Sequence, residues 1–278
     1  EFATYYRKKH PNYNAPECAL WQDILYGSNK QYFWYVDPFM RTCLDFNQGG
    51  AMIDLRPYVA RVPFEVGIGT EHVYDATYPY LIQANYRAGY FTHYAGAGTV
   101  KSCKVTCNGE TVDLCLTRTM AKYDKVEEGV RITTNPTTLI LGNEEIVIQS
   151  IFTFLEGQSC VQIERKILND VKYPVTFIEY FTGAFGVHEY QDDMKNITLS
   201  VDDNLINYEY KDRSITKDNA KEIKVNIPDI QTIISMNGEN DSMTVKEGIA
   251  FSPIYYMEIK KTITEGGIKT WLKLKKGN

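Results

Sequence analysis

The sequence predicts an all-β chain folded as one large antiparallel sandwich of two sheets, with one short N-terminal helix. Three observations predict it. Apolar residues recur with period two through most of the chain, the spacing of half-buried strands. Turn-forming clusters punctuate the sequence at short intervals, and no helix-length amphipathic segment separates the strands. That pattern argues against a parallel α/β sheet. At 278 residues the chain is long enough to bury a core without disulfide staples, and sandwiches of this length commonly form one domain. No low-complexity linker divides it, so residues 1–278 read as a single domain, with Glu1-Phe2 reading as a cloning scar.

The helix is expected over 15–26. Asn14 suits a cap, Pro16 fits the first turn, Leu20, Ile24 and Leu25 make a face, and Gly27 stops it. Thr99–Cys107 and Thr111–Thr119 flank Asn108-Gly109, the strongest short-range hairpin signal. Ile146–Leu155 and Cys160–Leu168 flank Glu156-Gly157-Gln158 as a second hairpin. Val175–Thr182 follows as a strand, then Ile197–Val201 and Leu205–Tyr210 around Asp202–Asn204. Asp212–Lys221, the most polar stretch, reads as a long surface loop. The chain closes with Ile254–Ile263, a turn at Glu265-Gly266-Gly267, and Ile268–Leu274.

Composition excludes several functions. The net charge is −5, and basic clusters occur only at Arg7–Lys9 and Lys269–Lys276, where the second alternates with Ile268, Trp271, Leu272 and Leu274. A nucleic-acid binder needs a basic track to neutralise phosphates, so nucleic acid is not an expected partner. No apolar run is long enough to span a membrane as a helix. Cysteines 18, 43, 103, 107, 115 and 160 show no metal-ligand spacing, so neither metal nor cofactor is expected. A three-residue loop at Asn108-Gly109 would set Cys103 opposite Cys115. A bridge there and reduced thiols in a cytoplasmic protein are both open readings. Sequons at Asn196 and Asn240 matter only in a glycosylating compartment. The cytoplasm is the expected location, with secretion open because the first residue is not Met. Gly96-Ala-Gly98 lacks the third glycine of a dinucleotide loop, and no P-loop, HExxH or GxSxG motif occurs.

Three stretches carry a resemblance. They are Leu44-Asp-Phe-Asn-Gln-Gly-Gly-Ala-Met-Ile-Asp-Leu-Arg56, Tyr90-Phe-Thr-His-Tyr94 with Ala95-Gly96-Ala97-Gly98, and the run from Ile151-Phe-Thr-Phe-Leu-Glu-Gly157 through Val161-Gln-Ile-Glu-Arg-Lys-Ile-Leu-Asn169 to Tyr173-Pro-Val-Thr-Phe177. Together they resemble the galactose mutarotase-like supersandwich superfamily of aldose epimerases and of sugar-phosphorylase and polysaccharide-lyase domains. The resemblance covers about residues 44–182, with an echo at Thr264-Glu-Gly-Gly267.

The resemblance implies a mono- or oligosaccharide partner on a concave sheet face and metal-independent acid–base chemistry by His and Glu, whose pKa values must suit the working pH. His93 matches the first His. The second His falls in Phe177-Ile-Glu-Tyr-Phe181, where this chain offers Glu179 or Tyr180 instead, and Glu258 corresponds to the late basic Glu. Residues 93, 179 and 258 are therefore expected to converge on the trough floor. Glu179 alternates with Val175, Phe177 and Phe181, which suits either a cleft carboxylate of raised pKa or an ion-paired core residue. Trp34, Tyr35 and Trp271 are candidate platforms for pyranose faces, and Arg87, His188 and Glu189 candidate hydroxyl-binding groups. A non-catalytic carbohydrate-binding module of a longer chain and a ligand-free interaction sandwich are the alternatives.

Overall fold

A computed structural model describes residues 17–23, 29–37, 39–57, 81–83, 100–184, 196–209, 211–228, 231–248 and 254–277. The N-terminal part contributes strands β1 (Glu17–Gln22), β2 (Gln31–Val36), β3 (Met40–Asp45), β4 (Ala51–Pro57) and β5 (Ile82–Gln83). The middle contributes β6 (Val100–Cys107), β7 (Glu110–Asp113), β8 (Ala121–Val126), β9 (Gly129–Thr134), β10 (Thr137–Leu141), β11 (Glu144–Leu155) and β12 (Cys160–Ile167). The remainder runs through β13 (Val175–Ala184), β14 (Thr198–Val201), β15 (Asn204–Asn207), β16 (Ser214–Asp218) and β17 (Ile223–Ile227). It ends with β18 (Thr232–Gly238), β19 (Ser242–Gly248), β20 (Ile254–Ile263) and β21 (Gly267–Lys276). Among the described residues no helix is long and apolar enough to cross a membrane.

These strands form two antiparallel sheets. The 11-stranded sheet has the order β1-β2-β3-β4-β6-β13-β20-β19-β16, with β5 on β4 and β7 on β6. The 10-stranded sheet has the order β15-β14-β17-β18-β21-β12-β11-β9-β8, with β10 on β11. Alternation along each strand sends one set of side chains between the sheets, and the main buried cluster runs from Phe33 to Leu274. Aromatic rings stack within that core, Tyr35 on Phe154 at 4.4 Å and Phe181 on Tyr255 at 5.8 Å between centroids.

Local turn chemistry sets the hairpins. Cys107 pairs with Glu110, so Asn108-Gly109 is a two-residue loop with φ of 49° and 81°, the geometry that Asn-Gly favours. The Gly49-Gly50 turn after β3 needs its glycine. Gly49 has φ of 60°, and a Cβ there would meet the Leu114 carbonyl oxygen at 2.0 Å.

Three expectations change. Within the segment expected as a helix over 15–26, Glu17–Gln22 forms β1, paired with β2 from Glu17↔Val36 to Gln22↔Gln31. A short helix is costly to nucleate, and the aromatic strand Tyr32–Tyr35 offers a full ladder instead. Asp212–Lys221 holds the edge strand β16, paired to β19. The two-residue loop sets Lys104 opposite Asp113, and Leu114–Leu116 then leaves the ladder as a 3₁₀ turn, so Cys115 never faces Cys103. The six cysteines are free. The strands expected on either side of the Glu265–Gly267 turn form as β20 and β21, and the turn carries the chain from one sheet to the other.

One polar cluster interrupts the apolar core. Glu179 of β13 is 0% exposed, and Lys101 of β6 and Arg165 of β12 are 2% and 1% exposed. Arg165 Nε donates to Glu179 Oε1 at 2.5 Å and its Nη1 to Ser150 Oγ at 2.7 Å, while Lys101 Nζ donates to Glu179 Oε2. Burial alone would raise the Glu179 carboxyl, but Arg165 and Lys101 outweigh it and hold its pKa at about 2, down from 4.5. Of the two sequence readings, the ion-paired core residue is the one the fold adopts.

Glu179→Gln leaves two cations buried without an anion, which costs about 3–5 kcal/mol. Urea unfolding should show that loss. Replacing Lys101, Glu179 and Arg165 together by apolar residues should recover most of it, and a single-variant loss under about 1 kcal/mol would show the cluster to be unimportant. The Glu179 pKa is depressed on folding, so its contribution is complete above pH 4.5 and fades as pH falls toward 2. Wild type should therefore lose stability relative to the triple apolar variant in that window, and the difference between them should stay flat above it.

Candidate functional site

The same alternation that buries Glu179 turns Tyr180 to the outer face of the 11-stranded sheet. There Tyr180 lies opposite Glu258 of β20, which lies opposite Thr244 of β19. Thr182, Tyr256 and Lys246 form the adjacent row. A groove of about 400 Å³ opens on this face, lined by Asp212, Thr244, Lys246, Tyr256 and Glu258.

A second buried carboxylate positions the groove wall. Glu247 of β19 is 0% exposed. It accepts the backbone amides of Glu209 at 2.7 Å, Lys211 at 3.0 Å and Arg213 at 3.1 Å, and the Arg213 guanidinium at 2.7 Å. Burial would raise its carboxyl, yet Arg213 and these amides hold it at about 2. The segment thus tied down carries Asp212 to the groove, where its Oδ1 meets Lys246 Nζ at 2.8 Å. That hydrogen bond and the Asp212 charge raise the Lys246 pKa, which keeps the ammonium charged.

Tyr180 is fixed from the other side. Its hydroxyl donates to Asp113 Oδ2 at 2.8 Å, Ser102 Oγ lies 3.3 Å from Asp113 Oδ1, and Lys104 Nζ sits 5.4 Å from the ring centroid. Burial, then Asp113, pushes the phenol far above its ordinary value, so Tyr180 stays protonated and acts as a donor. Farther along the sheet, Arg41 stacks over Trp34 at 4.8 Å, and Asp54 Oδ2 pairs with Arg41 at 3.3 Å and Arg56 at 3.1 Å. Burial raises the Asp54 carboxyl against the pull of both arginines.

The expected site residues separate. Tyr180, Glu258 and Trp34 share the outer face of the 11-stranded sheet, but five inter-strand steps of about 4.8 Å put β2 and β20 about 24 Å apart. Glu179, expected on the trough floor, points between the sheets and has no access to a sugar. Tyr35 also points inward. It is 0% exposed and hydrogen-bonded to Asp37 at 3.2 Å, so its ring is no platform. Trp271 lies on the outer face of the opposite sheet, away from Glu258. His93, Arg87, His188 and Glu189 lie outside the described residues. Sequence reasoning missed Asp212, Thr244 and Lys246, which reach Glu258 only through long-range pairing; Tyr256, two residues before Glu258, was signalled by strand periodicity. Among the described residues no group of three or more His, Cys, Asp or Glu is placed to hold a metal.

Glu247→Gln should raise amide hydrogen exchange at Glu209, Lys211 and Arg213 by about tenfold or more, since each charge-assisted hydrogen bond lost there is worth about 1.5–3 kcal/mol. Unchanged exchange would mean that the segment is held by something else.

No protein-family model and no curated protein matches the sequence. Solved structures do match. A galactose mutarotase-like protein from Clostridium acetobutylicum superposes with a TM-score of 0.57 at 7% identity, over 94% of this chain and 99% of that one. A galactose mutarotase related enzyme from Lactobacillus acidophilus gives 0.57 at 6% identity, over 89% and 98%. The 4-alpha-glucanotransferase from Thermococcus litoralis gives 0.53 at 12% identity over 95% of this chain, which spans 42% of that enzyme's length. The two-sheet architecture of this chain is therefore the galactose mutarotase-like fold.

Proposed function

We propose that this chain is a carbohydrate-active protein that takes a sugar into the groove on the outer face of the 11-stranded sheet, with Glu258 as its general base. One observation carries the reading: Glu258, Tyr256, Lys246 and Asp212 line a single groove on one face of a fold shared with mutarotase-related proteins. The set suits a polyol. Tyr256 offers a ring face to pyranose C–H groups, while Lys246 and Asp212 offer a donor and an acceptor to hydroxyls.

In an epimerase-like reaction Glu258 takes the proton of the anomeric hydroxyl as the bond from C1 to the ring oxygen breaks. An acid, for which His93 is the proposed group, gives a proton to that oxygen. Rotation of the open-chain aldehyde and reclosure by the reverse transfers give the other anomer and regenerate both groups. The mono- or oligosaccharide partner belongs to this reading, as do the single-domain organisation and a cytoplasmic or secreted location.

A non-catalytic binding module is the second reading, and Tyr180 favours it. The position where the family resemblance implies a second His holds a phenol bound to Asp113 and raised far above neutrality, which neither gains nor loses a proton in turnover.

Two measurements separate these. NMR exchange between anomers of free aldohexoses should be faster with the protein than in buffer, and Glu258→Gln should lower the protein-dependent rate about 10²-fold or more at unchanged Tm. A glycan array with the same samples reports binding. Glycan retention without exchange leaves the binding module, and neither retention nor exchange removes saccharide function from the groove.

A further inference from the structure

The outer face of the 10-stranded sheet carries a second arrangement, away from the groove. Strand β21 buries Ile268, Thr270, Leu272 and Leu274 and turns Lys269, Trp271, Lys273 and Lys275 outward. Trp271 is half-buried, and its direct neighbours across the ladder are Gln162 on β12 and Asn237 on β18. The Asn237 Oδ1 is buried without a hydrogen-bond partner. An indole flanked by two amides in one row across the strands offers a flat apolar face with hydroxyl-binding groups on both sides.

The charges on this face are unevenly paired. Lys275 and Lys224 both turn to Glu222, at 3.8 Å and 2.6 Å, and Lys166 pairs with Glu164 at 3.5 Å. Lys273 lies opposite Ser235 and Cys160, while Lys269 lies opposite Glu164 and its carbonyl accepts the Glu239 amide at 3.3 Å. Among the described residues neither Lys269 nor Lys273 enters an ion pair. Strand geometry sets each about 6.7 Å from Trp271 along the strand, on the same face. A chain of net charge −5 thus presents a local cationic strip centred on an aromatic ring.

We propose that this strip is a surface binding site for an anionic polysaccharide, a chain of uronic acid residues. One sugar ring packs on Trp271, its hydroxyls bond to Gln162 and Asn237, and carboxylates of neighbouring sugars meet Lys269 and Lys273. A neutral glycan leaves both ammonium groups unused. A nucleic acid needs a longer phosphate-neutralising track than two lysines provide. The site does not depend on what the groove binds.

Affinity electrophoresis of the whole chain in gels containing polygalacturonate, dextran or single-stranded oligo-dT tests it. Polygalacturonate should retard the protein, with retardation falling as salt rises. Trp271→Ala and the surface variant Lys273→Ala should each weaken binding about tenfold or more, at a Tm within a few degrees of wild type for Lys273→Ala. Glu258→Gln should bind polygalacturonate as wild type does. The proposal is overturned by equal retardation in dextran, by stronger retention on oligo-dT, by wild-type binding in Lys273→Ala, or by loss of binding in Glu258→Gln alone. That last result would move the ligand into the groove, whereas failure of anomer exchange leaves this site untouched.

Discussion

The fold turns on one buried carboxylate. Glu179 is the anion to which both Lys101 and Arg165 donate, and those two cations enter the core from different sheets, β6 on one side and β12 on the other. Two like charges at such depth are tolerable only with that anion between them. The constraint reaches beyond stability, because strand side chains alternate. A one-residue slip of β13 would bring Tyr180 inward, turn Glu179 outward and strand both cations. Charge thus fixes the register that places Tyr180 beside Glu258 on the outer face.

Glu247 does for the loop what Glu179 does for the sheets. It converts a connection between β15 of one sheet and β16 of the other into an ordered wall by accepting amides from the connecting backbone. Both carboxylates are held at about 2, so both stay ionised wherever the protein is folded near neutral pH. Glu258 differs in kind. It faces the groove, with Lys246 nearby already engaged by Asp212. Buried, ion-paired carboxylates build the frame, whereas Glu258 lines the groove, the place in which we propose that it acts as the base.

Much of this was legible from the sequence where the determinants were local. The Asn108-Gly109 turn, the hairpin of β11 and β12, and the extents of β13 and β20 follow from turn chemistry and alternation within a short window. The segment around Leu20 misled because its apolar residues fit a helix and a strand alike, and pairing with β2 decided between them. Glu179 shows where local reading stops. Its alternation with Val175, Phe177 and Phe181 places it on the apolar side, but its partners are 78 and 14 residues away, so nothing nearby distinguishes a cleft acid from a core ion pair. The groove was hidden for the same reason, since Lys246 and Asp212 come to Glu258 only by the pairing of β19 with β20 and the tethering of the loop.

The aromatic surplus makes the same point about composition. Trp34 and Tyr35 are neighbours in sequence and lie on opposite faces of β2, one against Arg41 outside, the other stacked on Phe154 inside. Phe33, Phe152, Phe181 and Tyr255 are spent on the core between the sheets. Aromatic content therefore reports mainly the size of that core, and a sugar platform is identified by which face its strand turns outward and by the groups opposite it on the ladder. By that criterion Trp271, with amides to either side and lysines before and after it that enter no ion pair among the described residues, differs from Trp34, whose ring already has a guanidinium over it.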